Sequence, residues 1–185
     1  MANDSLLGFA LLGLLHEQPM SGYDLRKVFA TTAMGSFSDS PGAIYPALKR
    51  LETRGLVRGT VEKSAGLRQR QIFRNTARGL AALKEWLKRP VMLDDVIRGI
   101  GELMLRFAFM DQTLGPEAST KFLREYAQRL AEYVPSLKEY HQTQAEKMPT
   151  SARLAFESGI DEYEVRLKWA KMALLQYEQG KRGKR

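Results

Sequence analysis

A mainly α fold with one small β-hairpin is predicted for this 185-residue chain. Three features predict it. Apolar residues recur at helical spacing over most of the length, the period shortens to strand-like segments only between Leu56 and Arg74, and the cationic excess is concentrated in the first half. The expected organisation is a helix-and-hairpin domain over 1–90, a purely helical domain over 91–180, and a basic, disordered tail at 181–185.

Leu6 to Leu15 is apolar nearly all round, which predicts a short helix buried on most sides. Ser21 is placed to cap a second helix, Tyr23 to Ala33, with Leu25, Val28 and Phe29 on one face. Gly35 to Gly42 is rich in Ser, Gly and Pro and reads as a loop. Ile44, Ala47, Leu48 and Leu51 then define a third helix, closed by Gly55. Pro46 fits that helix only in its first turn, so the helix should start close to Gly42. Leu56 to Glu62 and Leu67 to Arg74 flank Lys63, Ser64, Ala65 and Gly66, a hairpin with a basic tip. Thr76 can cap a fourth helix carrying Leu80, Leu83 and Leu87, and Pro90 ends it.

Beyond Pro90 the pattern is helical throughout. Val96 to Met110, with Leu103, Met104, Phe107 and Phe109, leaves little polar surface and needs a covering partner. Pro116 to about Lys147 carries Leu123, Tyr126, Leu130, Tyr133, Leu137 and Tyr140 at alternating three- and four-residue steps. Pro135 should interrupt and bend it. Phe156, Ile160, Tyr163, Leu167, Ala170, Leu174 and Tyr177 repeat the spacing in a last helix. These stripes fit an intramolecular helical hairpin as well as an intermolecular one. On the intermolecular reading Leu103, Phe107, Leu123, Leu130, Leu137, Ile160, Leu167 and Leu174 line a dimer interface.

Composition narrows the function. The formal net charge is +8, with 14 cations against 7 carboxylates in residues 1–90 and 15 against 14 in the rest, so a polyanionic partner should meet the first half. The longest apolar run has ten residues, Leu6 to Leu15, against the ~20 of a membrane span. Met1 to Ser5 carries Asp4 and no basic residue, unlike a secretory leader, and a cytoplasmic location is expected. With no cysteine and only His16 and His141 as imidazoles, thiolate chemistry is excluded and no metal site is expected. The GIG at 99–101 lacks the rest of a dinucleotide fingerprint. No nucleophile paired with a base is visible, so neither an enzyme nor a cofactor is expected. A helical adaptor that touches nucleic acid only through charge is the rival reading.

Three helices, a hairpin and a following helix make a winged helix, whose third helix lies in the DNA major groove. Opposite the core stripe of that helix stand Tyr45, Lys49 and Arg50, suited to phosphates and base edges. Ser38, Ser40 and Gly42 precede it, where free backbone N–H groups favour a phosphate. Lys63, Arg68 and Arg70 on the hairpin are placed for an adjacent backbone or minor groove.

The stretches LLGLLHEQPMSGYDL at 11–25 and GAIYPALKRLETRGLV at 42–57 resemble the two hallmark segments of the PadR family of regulators. RQIFRNTARGLAALKEWL at 70–87 is similar to that family's second wing strand and following helix. ELMLRFAF at 102–109 extends the likeness, and Gly159 and Trp169 extend it more weakly, as in the longer members with a helical C-terminal dimerisation domain. The resemblance implies a homodimer, usually a repressor, on a pseudo-palindromic operator, released by a small aromatic or phenolic effector. Within SGYDL it implies that Ser21 meets a phosphate, while Tyr23 fits either DNA contact or packing against the third helix. Asn75 stands where the family usually has Leu, so the wing root should pack differently. An effector pocket between the two domains would draw on Trp86, Met104, Phe107 and Trp169, although core packing accounts for the tryptophans better.

Overall fold

The structure is a computed structural model that describes residues 5–37, 41–63 and 69–182. Ser38, Ser40 and Arg68, and the last residues of the basic tail, therefore lie outside the described residues. The chain forms two compact units, Met1–Lys88 and Arg89–Arg185.

The first unit is built on α1 (Leu6–Glu17), capped by Ser5, whose side chain accepts from the Gly8 N–H. Its sequence is apolar on every side, and Leu7 through Leu15 are buried. Against it pack α3 (Ile44–Thr53) and α4 (Ala77–Leu87), and α2 (Gly22–Thr31) packs on α3. Leu11, Leu12, Leu25, Ile44, Leu48 and Leu83 are the fully covered centre of this core. Trp86 is 3% exposed and stacks on Phe9 at 4.5 Å.

Three strands complete the unit. The strands β2 (Val57–Lys63) and β3 (Gln69–Asn75) pair antiparallel as the expected hairpin, with Val57 opposite Asn75 and Lys63 opposite Gln69. A two-residue strand, β1 (Met20–Ser21), adds to the other side of β3 through Met20 opposite Phe73. Sequence periodicity did not announce β1, because two residues are too few to show alternation.

The joints follow from named residues. Gly55 sits at φ +68°, the left-handed conformation in which a side chain is disfavoured. There its N–H reaches the Glu52 carbonyl and that of Leu56 reaches Leu51, closing α3 as a Schellman turn. Thr76 accepts from the Gly79 N–H at 3.0 Å and donates to the Gly55 carbonyl at 2.8 Å, tying the start of α4 to the end of α3. Pro46 falls in the first turn of α3, where its missing N–H costs no helical bond. Asn75 donates from Nδ2 to the Leu12 carbonyl at 2.8 Å, so the wing root is pinned to α1 by a polar bond where a Leu would only pack.

The second unit is all helix: α5 (Leu93–Arg98), α6 (Ile100–Leu114), α7 (Pro116–Gln144) and α8 (Thr150–Arg182). The single helix expected over Val96 to Met110 is in fact two, parted at Gly99, because the apolar pattern runs on across the break and hides it. The expected interruption at Pro135 does not occur: α7 continues through it as one 29-residue helix. Pro135 is exposed there, so the carbonyl it leaves without a partner can be hydrated. The helix α8 reaches Arg182, so Lys181 and Arg182, expected in a disordered tail, are helical.

The matching stripes of α7 and α8 close on each other within one chain. Tyr133 meets Tyr163 edge-on at 5.1 Å, and His141 stacks on Phe156 at 5.7 Å. Lys138 pairs with Glu164 and Arg124 with Glu178 along the same seam. Leu103 of α6, Leu123, Leu130 and Ile160 are all buried within the one chain, and Phe107, Leu137, Leu167 and Leu174 are partly covered. The buried four cannot also face a second subunit, a correction to the expected dimer interface. Spacing identifies a seam and not its partner.

At the N-terminal end of α7, Asp111 of α6 accepts from the Ser119 hydroxyl and, at 2.8 Å, from the Tyr177 hydroxyl of α8, fastening three helices at one carboxylate. Burial, followed by that bond to Asp111, raises the Tyr177 phenol above its usual range. No helix among the described residues is long and apolar enough to cross a membrane.

Candidate nucleic-acid interface

The helix α3 is strongly two-sided. Ile44, Ala47, Leu48 and Leu51 are buried in the first unit, which fixes the rotation of the helix, and Tyr45, Lys49 and Arg50 therefore project outward. Tyr45 is 50% exposed despite its size. Beside it α2 buries Leu25 and Phe29 and exposes Tyr23, Arg26 and Lys27, with Tyr23 at 64%. Tyr23 thus presents most of its ring to solvent, and packing is the lesser part of its surroundings. Gly42 is exposed in the turn before α3.

Ser21 is withdrawn from this surface. It is 4% exposed, and its hydroxyl accepts from the Asp24 N–H at 3.1 Å while donating to the Asp24 carboxylate at 2.6 Å. The Asp24 carboxylate also accepts from the Ser21 N–H, which completes a capping box. The expected phosphate contact by Ser21 is corrected on this ground, since the hydroxyl is spent on starting α2.

The hairpin register places Arg58 opposite Arg74 and Glu62 opposite Arg70. Residues directly opposite in an antiparallel pair share a face, so Arg58, Arg70 and Arg74 line one side of the wing. All three are exposed, and Arg74 is held by Glu62 at 3.1 Å. Arg70 was expected from sequence. Arg58 and Arg74 were not: alternation along β3 puts Arg74 on the face of Arg70, but only the register brings Arg58 beside them. Of Lys63 the structure describes only the backbone, at the end of β2. The wing is fixed to α3 where Glu52 accepts from the Gly59 N–H at 2.9 Å. A cationic strand pair is in this way coupled to the helix that carries Tyr45, Lys49 and Arg50.

The residues expected around an effector divide between the units. Trp86 is spent on Phe9 in the first. Phe107, Phe122, Tyr126 and Trp169 gather in the second, where Trp169 meets Phe107 edge-on at 5.7 Å and Tyr126 at 6.4 Å, and Met104 packs against the same core. Arg106 lies beneath them, 2% exposed, its guanidinium 5.4 Å from the Phe122 ring centroid and donating to the Arg89 carbonyl. Desolvation lowers its pKa against the opposing pull of Glu102 and Asp95, and burial raises that of Tyr126. Among the described residues no group of His, Cys, Asp and Glu is placed to hold a metal ion.

Residues 11–85 match the model of the transcriptional regulator PadR-like family. The negative transcriptional regulator PadR of Bacillus subtilis (strain 168) is 27% identical over 146 residues, 79% of this chain and 79% of that protein. Among solved structures, Bacillus subtilis PadR in complex with operator DNA is 21% identical, covers 92% of this chain and 98% of its own, and has a TM-score of 0.42. The same protein in complex with p-coumaric acid is 20% identical over 96% and 98% of the two chains, at a TM-score of 0.40.

Proposed function

We infer, from the match of residues 11–85 to the model of the PadR-like family of transcriptional regulators, that this protein represses transcription by binding a pseudo-palindromic operator as a homodimer. The carrying observation is the outward face of α3, where an apolar inner stripe forces Tyr45, Lys49 and Arg50 to the surface in a cationic domain. Lys49 and Arg50 supply charge for phosphates or guanine edges, and Tyr45 supplies a donor with a flat ring. Arg58 and Arg70 on the wing, with Arg74 behind its pairing to Glu62, would neutralise the backbone flanking the groove. On the sequence reading Lys63, Arg68, Ser38 and Ser40 would add contacts to phosphates. Repression is supported by the relative's description as a negative regulator.

The second copy would be held by α8. Val165, Trp169, Met172 and Leu175 are exposed there at 66%, 39%, 53% and 54%. The first three fall within a narrow arc of the helix and Leu175 at its edge; Val165 and Met172 face away from the α7 seam, and the Trp169 ring also reaches Phe107 and Tyr126. A contiguous exposed apolar patch of this kind, outside the seam that α8 shares with α7, marks an interaction surface. Two copies related by a two-fold axis would present two α3 helices to half-sites about 34–36 Å apart, one turn of DNA.

The test is selection of duplexes from a random-sequence library by the full-length protein. Enrichment of an inverted repeat with half-sites one turn apart supports this reading. Equal, salt-labile retention of all sequences would leave only a charge-driven nucleic-acid adaptor.

A small aromatic effector is part of the proposal, supported by the aromatic cluster around Trp169 and the guanidinium of Arg106. Adding p-coumaric acid should change tryptophan emission and weaken binding to the selected duplex. If neither responds to it or to related phenolic acids, the effector half of the reading falls.

A further inference from the structure

The ring of Tyr45 lies across the first residue of α2. A Cβ built on Gly22 would sit 2.5 Å from Tyr45 Cε1, 3.1 Å from Cζ and 3.3 Å from Cδ1. Gly22 is buried, whereas Tyr45 is half exposed. No positive φ requires a glycine there, since the only glycines at positive φ among the described residues are Gly55 and Gly115. The position demands space and not backbone freedom. The atoms that would collide belong to the far end of one side chain, and α3 is itself anchored by Ile44, Ala47, Leu48 and Leu51. Adding a methyl group should therefore move the ring and leave the helix in place.

We propose that Gly22 is a positioning residue for DNA recognition: the bare backbone at the start of α2 is the seat that aims the Tyr45 ring from α3 into the groove. The SGYDL segment would then contribute through the space it leaves. Ser21 and Asp24 hold the start of α2 by their reciprocal cap, Gly22 leaves room, and Tyr45 takes the orientation the two helices define together. A ring pre-set in this way loses less freedom when it meets DNA than one that swings in solvent. The proposal rests on the reading of α3 as the recognition helix.

The experiment is a double-mutant cycle on the full chain with the selected duplex and a scrambled one, using Gly22→Ala, Tyr45→Ala and the pair. Gly22→Ala should lose roughly tenfold or more in affinity for the selected duplex. It should lose little for the scrambled one. In the Tyr45→Ala background the same methyl group should cost nothing further, because the ring it displaces is gone. Equal losses in both backgrounds would overturn the proposal, as would no loss in either. Wild-type binding by Tyr45→Ala would instead sink the recognition-helix reading itself. Should Gly22→Ala fold poorly, urea midpoints decide: a deficit relieved by Tyr45→Ala supports the seat, and one that persists refutes it.

Discussion

Lys49→Ala is expected to weaken binding to the selected duplex by about 1–3 kcal/mol per half-site, the range of a good charged contact to DNA. The loss counts twice in a dimer, because each subunit brings its own Lys49. The side chain is exposed on α3, away from the buried stripe of Ile44, Ala47, Leu48 and Leu51, so the unfolding free energy read by urea titration should stay within about 0.5 kcal/mol of wild type. The salt dependence tells which kind of contact is lost. If Lys49 meets a phosphate, affinity falls alike for all sequences and the slope of log K against log salt shrinks by about one per subunit. If it meets a guanine edge, the slope holds and preference relaxes at one position of each half-site. Anisotropy titrations at several salt concentrations, on the selected duplex and its single-base variants, separate the two. A folded Lys49→Ala protein with unchanged affinity, slope and preference would mean that α3 does not enter the groove.

The first half of the chain was legible because its signals are local and of different kinds. A cap at Ser21, a left-handed stop at Gly55, a shortened period at the hairpin and a cap at Thr76 each mark one boundary. The outward face of α3 followed from the inward one. What sequence misjudged there was the task of single polar atoms. Ser21 precedes Asp24 by three residues, the spacing of a capping box, and that signal should have outweighed a phosphate contact. Arg58 and Arg74 escaped notice because a cation on a strand gains meaning only from the register of its partner.

In the second half the helices were legible and their breaks and partners were not. The apolar pattern crosses Gly99 undisturbed, and Pro135 falls at an exposed position, where a proline costs an otherwise continuous helix least. The alternating stripe of α7 and α8 has one appearance whether it closes on its own chain or on another. Only the packed structure shows that Leu123, Leu130 and Ile160 are consumed internally, and that α8 keeps a second apolar face.

That second face carries the other large expected effect. Val165→Glu combined with Met172→Glu should convert the proposed dimer to a monomer, because each carboxylate would lie unpaired in a contact proposed to be built of apolar side chains. Both positions are more than half exposed in the single chain, and neither belongs to the core that contains Tyr126, Leu130 and Ala170, so the helical unit should keep its stability. Trp169 is less suitable, since its ring also packs against Phe107 and Tyr126. A monomer holds one half-site at a time and forfeits the effective concentration that the first contact confers on the second. Its affinity for the selected inverted repeat should drop by about 10²- to 10⁴-fold. Sedimentation velocity reads the assembly, and titration on a single half-site reads the domain. Half-site binding should be nearly untouched, which distinguishes lost linkage from a damaged winged helix. A doubly substituted protein that remains dimeric would place the subunit contact elsewhere than on the Val165 to Leu175 face. One that becomes monomeric yet keeps full affinity for the inverted repeat would break the link between assembly and operator binding.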